Sequence, residues 1–163
     1  MLRRRVFRPL MVLVLVLALC GVPLWAQAFC FDAAAAKYHV SPLLIKSMAI
    51  GESNLDSLAT NDNRDKKTGK IKSTDYGLMM INSTHIPRLV SMGVIRDKND
   101  LLNKPCLNVQ IGTWILAKHF QVCGVSWNCL GSYNAGFRAD RHETRERYAN
   151  RIWKIYQQQT GAQ

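Results

Sequence analysis

Beyond residue 28, apolar positions recur mostly with the period of an α-helix. Ser41-Pro42 is typical of a helix start, since serine caps the free N–H groups and proline suits the first helical position. This helix is predicted to end near Ser53. Similar patterns predict further helices over 31–39, 83–93, 105–122, 127–136 and 143–157, with a frayed tail beyond them.

One segment departs from this pattern. Residues 60–76, TNDNRDKKTGKIKSTDY, are polar and contain a Thr68-Gly69 turn, which predicts a loop or a small hairpin. No internal repeat or low-complexity linker divides the chain. The sequence therefore predicts a mainly helical domain with one small polar lobe.

The first 28 residues have the pattern of a secretory signal peptide. Four arginines precede an apolar run over 10–19, and Ala26-Gln27-Ala28 fits a cleavage site. Lipidation at Cys20 is disfavoured because bulky Leu19 precedes it, and an uncleaved anchor is the weaker alternative. We expect a signal peptide over 1–28 and a single domain over 29–163, in which no stretch is long and apolar enough to cross a bilayer.

The charge of the chain indicates an acidic partner. Removing the four arginines of the first 28 residues lowers the formal charge from +11 to +7. A basic secreted protein suits nucleic acid, anionic lipid or an anionic cell-wall polymer. No tight Lys/Arg cluster with interleaved aromatics supports nucleic acid, and no long basic amphipathic helix supports a membrane-active protein.

The cysteines predict disulfides and no metal site. Cleavage would leave Cys30, Cys106, Cys123 and Cys129, an even number with three possible pairings in an oxidising compartment. Cys123 and Cys129 are close enough in sequence for a local bridge, which would leave Cys30 to pair with Cys106. The spacing fits no common zinc pattern and the four histidines are scattered, so we expect neither a metal nor a cofactor.

The strongest candidate for chemistry is Glu52. Ile45, Met48 and Ala49 lie seven, four and three residues before it, so its helix would place it in line with an apolar stripe. Burial raises the pKa of a carboxyl, and the negative end of the helix dipole acts in the same direction. A glutamic acid that stays protonated near neutral pH is suited to general-acid catalysis. By itself, however, this pattern also fits a glutamate at the rim of a core.

Three further segments favour the catalytic interpretation of Glu52 when they are taken together with the segment that contains it. GESNLDS, YGLMMIN, SYNAG and ERYANRIW, taken in this order, resemble the successive motifs of the soluble, goose-lysozyme-related lytic transglycosylases. The likeness is greatest to the small specialised members that accompany conjugation, pilus and secretion machineries. It covers nearly all of the chain after residue 28 and implies an α+β lysozyme-like fold, with helices around a cleft.

The resemblance implies a mechanism with one catalytic carboxylate. Glu52 would protonate the glycosidic oxygen between N-acetylmuramic acid and N-acetylglucosamine, and would then take the proton of the muramoyl C6 hydroxyl. That hydroxyl attacks C1 and closes a 1,6-anhydro ring without consuming water. The acetamido group of the substrate would replace the second carboxylate of ordinary glycosidases. Tyr148 matches the tyrosine that hydrogen-bonds the catalytic glutamate.

The resemblance also implies a set of substrate-binding positions. Ser53 would orient Glu52 or the acetamido group, a turn would bring backbone close to the sugar, and the remaining positions would line the cleft. The set comprises Ser53, Gly77, Leu78, Met79, Met80, Asn82, Tyr133 and Asn134. At Met80 the family usually has glutamine, whose hydrogen bonds methionine cannot make.

Two aspartates are alternatives for a second acid. Asp56 is more simply a surface or turn residue, whereas Asp75 is the better candidate for a base or nucleophile, although a turn-capping role is expected there. A hydrolytic lysozyme and an inert wall-binding scaffold are therefore the competing functions. The leading expectation is a monomeric periplasmic enzyme acting on peptidoglycan strands, and the resemblance implies partners in a secretion, conjugation or pilus apparatus.

Overall fold

The computed structural model describes residues 29–161, so the predicted signal peptide lies outside the described residues. The helices, in chain order, are α1 (Phe31–Tyr38), α2 (Pro42–Ser53), α3 (Ile86–Ser91), α4 (Asn99–Asn103), α5 (Pro105–Cys123), α6 (Trp127–Leu130), α7 (Ser132–Ala135) and α8 (His142–Thr160). The strands are β1 (Thr60–Arg64), β2 (Ile71–Tyr76) and β3 (Ile81–Asn82), and short 3₁₀ helices cover Ser83–His85 and Ala139–Arg141.

The ends of α2 follow from its sequence. The Ser41 side chain accepts a hydrogen bond from the Leu44 N–H at 3.4 Å, and Pro42 occupies the first turn. At the other end Asn54 adopts the left-handed conformation with φ 54°, and its N–H bonds back to the last turn of the helix. The helix therefore ends at Ser53, as the sequence predicts.

The polar segment forms an antiparallel hairpin. Thr60 pairs with Tyr76, and β3 pairs with the end of β2 to complete a three-stranded sheet in the order β1-β2-β3. In the turn, Asp65 accepts the N–H groups of Lys67 and Thr68. Lys72 contacts the same carboxylate at 2.6 Å and, together with these bonds, lowers the pKa of Asp65 to about 2.

The core lies between the helices and the inner end of the sheet. Ile45, Met48, Leu116 and Ile152 are all completely buried. Helix α8 packs against α2 where Gly51 has no side chain: a Cβ atom there would lie 2.5 Å from Ile152 Cδ1. This close approach places the C-terminal helix beside the end of α2.

The four cysteines lie in two pairs. The Cα atoms of Cys30 and Cys106 are 5.3 Å apart, and those of Cys123 and Cys129 are 5.7 Å apart, with the sulfurs of each pair at bonding distance. The arrangement is the one that the sequence favours: a long-range link from Cys30, just before α1, to α5, and a short link from the end of α5 to α6.

Three elements differ from the sequence-based prediction. Helix α4 is not predicted from the sequence, because it is a single short turn, Asn99–Asn103, in which a buried aspartate, Asp100, bonds Arg96 and Lys104. The predicted helix over 127–136 is two short helices that meet at Gly131. The predicted fraying beyond Gln157 is wrong: α8 continues to Thr160, and its Tyr156 ring packs near the rings of Trp127 and Trp153.

The mainly helical, lysozyme-like α+β fold class is confirmed. Within residues 29–161, no helix combines the length and apolar character needed to cross a bilayer.

Candidate active site

A cleft of about 320 Å³ runs between the end of α2, the sheet and the short helix α7. Its lining combines polar side chains with a few apolar ones, which suits a sugar chain with hydroxyl edges and apolar ring faces. The lining residues are Glu52, Asn63, Ser73, Asp75, Met80, Ile81, Asn82, His85, Ile115, Tyr133 and Asn134.

Glu52 lies in the last turn of α2 and faces this cleft. The three residues that share its helical face, Ile45, Met48 and Ala49, are completely buried, so the predicted apolar stripe is confirmed. Burial of the carboxyl raises the pKa of Glu52 above its ordinary value, and the negative charge of Asp75 adds to this effect. The arrangement favours a protonated acid.

Tyr148 holds the carboxyl of Glu52 in place. Its hydroxyl donates a 2.5 Å hydrogen bond to Glu52 Oε1, across 96 residues of sequence. Because this bond stabilises the carboxylate form, it lowers the pKa of Glu52 and opposes part of the burial effect. The Tyr148 side chain is itself buried, and burial raises the pKa of its phenol well above the ordinary value. The tyrosine is therefore a hydrogen-bond donor at neutral pH.

The segment after β2 forms the wall behind the cleft. Gly77 has φ 74°, and Leu78 and Met79 are completely buried. Asn108 on α5 accepts the N–H of Met79 at 2.8 Å and donates to the Tyr76 carbonyl, also at 2.8 Å. These bonds satisfy the backbone polar groups of a buried turn, which would otherwise be costly.

Ser53 reinforces the same wall. Its hydroxyl lies 3.0 Å from the Leu78 carbonyl and 3.2 Å from the Ala49 carbonyl, so it joins α2 to the turn. The residues that line the cleft do not include Ser53, Gly77, Leu78 or Met79. Contact of these four residues with a substrate stays a prediction.

Tyr133 and Asn134 lie on α7, and both line the cleft. The Tyr133 hydroxyl donates to the Met79 carbonyl at 2.8 Å, and its ring stacks against that of Tyr148 with centroids 6.5 Å apart. Burial also raises the pKa of Tyr133 well above its usual range. The two tyrosines thus form a stacked pair in which Tyr148 bonds Glu52 and Tyr133 faces the cleft.

Asp75 is part of the cleft rather than a turn cap, so the expected capping role is wrong. It lies within β2, and its carboxylate accepts hydrogen bonds from Asn82 at 2.6 Å, Asn63 at 2.8 Å and Asn61 at 3.3 Å. The interstrand register brings these amides together. Asp56 does have the turn role that was expected, since its carboxylate accepts the Leu58 N–H at 2.8 Å.

Met80 lines the cleft in a left-handed backbone conformation, with φ 46°. Ile81 and Ile115 lie on the same lining, so these three side chains supply apolar surface to the cleft. A non-glycine residue with positive φ is uncommon and is often retained for a functional reason. Here the conformation accompanies the turn from the wall segment into β3.

Several lining or supporting residues were missed by the sequence reasoning. Asn63, Ser73, His85 and Ile115 line the cleft, and Asn108 supports its wall. Hairpin pairing carries the signal for Asn63 and Ser73, which are directly paired across β1 and β2. His85 and Ile115 have no comparable local signal, because only the tertiary fold brings α5 and the 3₁₀ helix to the cleft.

Arg151 was also missed. It lies one turn after Tyr148 on α8, and its guanidinium donates to the Gly51 carbonyl. Among residues 29–161, no group of three or more His, Cys, Asp or Glu side chains is arranged to hold a metal ion.

The fold and the site together define a lysozyme-like protein with one partly buried, hydrogen-bonded glutamic acid at a sugar-sized cleft. The chain belongs to the Transglycosylase SLT domain family, whose pattern matches residues 29–156.

Curated relatives cover most of the chain. A "Peptidoglycan-binding-like protein" of Escherichia coli O157:H7 is 51% identical over 132 residues, covering 81% of this chain and 78% of the relative. "Invasion protein IagB" of Salmonella typhimurium SL1344 is 38% identical over 136 residues, covering 83% and 80%. "Protein IpgF" of Shigella flexneri is 33% identical over 138 residues, covering 85% and 86%. Family and relatives support a wall-associated function of the lytic transglycosylase type.

Proposed function

We propose that the protein is a peptidoglycan lytic transglycosylase that cleaves the β-1,4 bond between N-acetylmuramic acid and N-acetylglucosamine. The observation that carries the proposal is Glu52: a carboxyl whose pKa is raised by burial, bonded to Tyr148 and directed into the cleft. An acid that keeps its proton near neutral pH is what protonation of a glycosidic oxygen requires.

The reaction proceeds in two proton transfers on the same carboxyl group. Protonated Glu52 gives its proton to the glycosidic oxygen, the C1–O bond breaks, and the N-acetylglucosamine leaves with a free hydroxyl. The resulting carboxylate then takes the proton of the muramoyl C6 hydroxyl as O6 bonds to C1. Glu52 is protonated again, no water is consumed, and the muramoyl end becomes a 1,6-anhydro sugar.

The positive charge at C1 must be stabilised between these steps. Inverting glycosidases use a second carboxylate to activate water, and retaining ones use it as a nucleophile. Asp75 is the other carboxylate on the cleft, but its oxygens accept hydrogen bonds from three asparagine amides. That engagement favours stabilisation by the acetamido group of the substrate and an organising role for Asp75.

Product analysis separates the proposal from its alternatives. Purified peptidoglycan is digested with wild type, Glu52→Gln and the control Glu143→Gln, which removes an exposed carboxylate on α8. We expect 1,6-anhydromuramoyl products from wild type and the control by mass spectrometry. Glu52→Gln should lose about 10²–10⁴-fold in rate while still binding wall.

Other outcomes reassign the protein. Reducing-end muramic acid in place of the anhydro form would identify a hydrolytic lysozyme. No products from wild type, with wall binding intact, would identify an inert scaffold.

The proposed site of action is the periplasm, where a signal peptide over residues 1–28 would deliver a monomeric enzyme. The likeness to "Invasion protein IagB" supports a role in opening the wall locally for a secretion, pilus or conjugation apparatus. Cell fractionation tests the location, and recovery of apparatus assembly by wild type but not by Glu52→Gln in a deletion strain tests the role.

A further inference from the structure

Arg151 contacts both the end of α2, which carries Glu52, and Tyr148, which hydrogen-bonds the carboxyl of Glu52. Its Nη1 donates a 2.6 Å hydrogen bond to the carbonyl of Gly51, the residue before Glu52. Its guanidinium carbon also lies 5.2 Å from the centroid of the Tyr148 ring, within the range of a cation–π contact. The Arg151 side chain therefore contacts both Gly51, which precedes Glu52 in the chain, and Tyr148, which hydrogen-bonds its carboxyl.

This contact depends on the close packing of α2 and α8. Gly51 leaves room for Ile152, whose Cδ1 atom would lie only 2.5 Å from a Cβ at that position. The carbonyls in the last turn of a helix lack partners within the helix, and basic side chains stabilise that end. The Arg151 guanidinium supplies both a hydrogen-bond donor and a positive charge to the last turn of α2, which carries Glu52.

The charges around Glu52 come from three elements. Tyr148 and Arg151 face it from α8, Asp75 from β2 and Tyr133 from α7. Burial and Asp75 favour the neutral acid, whereas the Tyr148 hydrogen bond and the charge of Arg151 favour the carboxylate and lower its pKa. Among the described residues, Arg151 is the cation that acts on this carboxyl.

We propose that Arg151 is a positioning residue for the reaction: its guanidinium fixes Tyr148 and the end of α2, and its charge faces the carboxylate that Glu52 becomes after protonating the leaving group. This inference rests on the proposed function. The carboxylate exists only between the two proton transfers, so a fixed cation nearby stabilises the species that must next take the C6 proton.

The geometry requires arginine rather than any cation. A planar guanidinium stacks over an aromatic ring and donates a directed hydrogen bond at the same time, whereas a lysine ammonium is a compact and more strongly hydrated charge. Arg151→Lys should therefore keep the charge and lose the fixed geometry, and Arg151→Gln should lose both. Arg147, one turn earlier on α8, is the matched control because it is exposed and pairs with Glu143.

The first experiment follows the titration of Glu52 directly. Glutamate labelled with ¹³C at the carboxyl gives few signals, since the chain contains only Glu52, Glu143 and Glu146, and Glu52→Gln assigns the one of interest. We expect Glu52 to titrate at higher pH in Arg151→Gln than in wild type, and to remain near wild type in Arg151→Lys. Arg147→Gln should leave it unchanged, and added salt should shrink the Arg151→Gln difference because the side chain is exposed.

The second experiment measures anhydromuropeptide release against pH. Arg151→Gln should lower kcat by about 3- to 10-fold, the range of one lost hydrogen bond, and should move the basic limb of the profile to higher pH. Arg151→Lys should lower kcat without moving that limb. Arg147→Gln should match wild type in both respects.

Each outcome decides the question. If Arg151→Gln lowers kcat equally at every pH and Glu52 titrates in it as in wild type, Arg151 only supports the fold. That result would overturn the inference. Arg151→Lys with wild-type kcat would also overturn it, because the guanidinium geometry would then be dispensable. Wild type without anhydro products would defeat the proposed function instead, while the labelled-carboxyl titration would still decide whether Arg151 acts on Glu52.

Discussion

At Glu52 the requirements of the proposed catalysis differ from those of stability. Its apolar helical face and the cleft keep the carboxyl from full hydration, which raises the folded-state pKa above that of the unfolded chain. In such a case the folded protein binds the proton more tightly. The stabilising contribution is complete below the unfolded pKa and is lost as pH rises through the folded pKa.

Glu52→Gln should therefore be more stable than wild type at neutral pH. The glutamine side chain has nearly the same shape, can still accept the Tyr148 hydrogen bond and never carries the charge. We expect a gain on the order of 1 kcal/mol, or roughly 3 °C in Tm, at pH 8. The gain should narrow as pH falls through the raised folded-state pKa of Glu52, and it should be smallest and constant below about 4.5, the ordinary value for glutamate.

Thermal unfolding of both proteins at pH 4 and pH 8 measures this difference. Comparing the two variants at each pH cancels the acid sensitivity that they share through Asp65, whose pKa is lowered. A constant difference at the two pH values would show that Glu52 titrates alike in the folded and unfolded chains.

The partners of Glu52 differ in how far the sequence could predict them. Its buried neighbours three, four and seven residues away follow from helix geometry alone. Tyr148 and Arg151 lie about a hundred residues away, and no local pattern links them to α2. The motif resemblance supplied Tyr148, whereas Arg151 required the packed structure.

At the scale of elements, the turn between β2 and β3 sets the back of the cleft. Gly77 and Gly69 both have positive φ, at 74° and 69°. They differ in surroundings: a Cβ on Gly77 would lie 2.4 Å from Asn108 Nδ2 and 2.6 Å from the Leu101 carbonyl, whereas one on Gly69 would meet nothing within 4 Å. Both glycines would impose the cost of a left-handed backbone on an alanine, but only Gly77 would add a steric clash.

Gly77→Ala should destabilise the protein much more than Gly69→Ala. The left-handed conformation alone costs about 1–2 kcal/mol for an alanine, which is the whole effect expected at Gly69. At Gly77 the displaced Asn108 network should add about 1–3 kcal/mol to the loss of stability, and it should also reduce peptidoglycan cleavage. Urea unfolding measures the free energies, and equal losses at the two positions would contradict the packing described for this turn.

Local chemistry predicted most elements well. The Ser41 cap and the Thr68-Gly69 turn, where Thr68 N–H bonds Asp65, both use short-range hydrogen bonds that the sequence displays. Helix α4 escaped prediction because Asp100 is buried through bonds to Arg96 and Lys104, and a charged residue inside the core contradicts the hydrophobic pattern. The Asp75 network escaped for a similar reason, since strand register creates it.

At the scale of the whole molecule, the two cysteine pairs close loops of very different length. Cys30 and Cys106 are 76 residues apart in sequence, and Cys123 and Cys129 are 6 apart. On the loop-entropy account, bridges of these lengths stabilise by about 4–5 kcal/mol and about 2 kcal/mol. Replacing the first pair by serine should therefore cost more stability than replacing the second, as measured by urea unfolding.

Non-reducing peptide mapping provides the control for that comparison. It should link Cys30 to Cys106 and Cys123 to Cys129 in wild type. A link from Cys30 to either of the later cysteines would reject the pairing, and equal destabilisation by the two double replacements would reject the loop-length account.

The charge of the whole molecule gives the last prediction. Residues 29–161 contain 18 lysines and arginines against 11 aspartates and glutamates, a formal charge of +7. Peptidoglycan carries carboxylates on its lactyl groups and stem peptides, so long-range attraction should raise the rate at which protein meets wall. Ions weaken such attraction, because the Debye length falls from about 30 Å at 0.01 M to about 3 Å at 1 M.

We expect kcat/KM on isolated wall to fall by roughly tenfold over that range of salt, with kcat at saturating wall little changed. The reason is that Glu52 acts inside the cleft, where its hydrogen bond to Tyr148 is largely shielded from bulk ions. Pelleting Glu52→Gln with wall at the same salt concentrations isolates binding from turnover and should show a parallel loss. A flat dependence in both assays would mean that the basic surface does not guide the protein to its substrate, whereas a fall in kcat alone would place the salt effect at the acid itself.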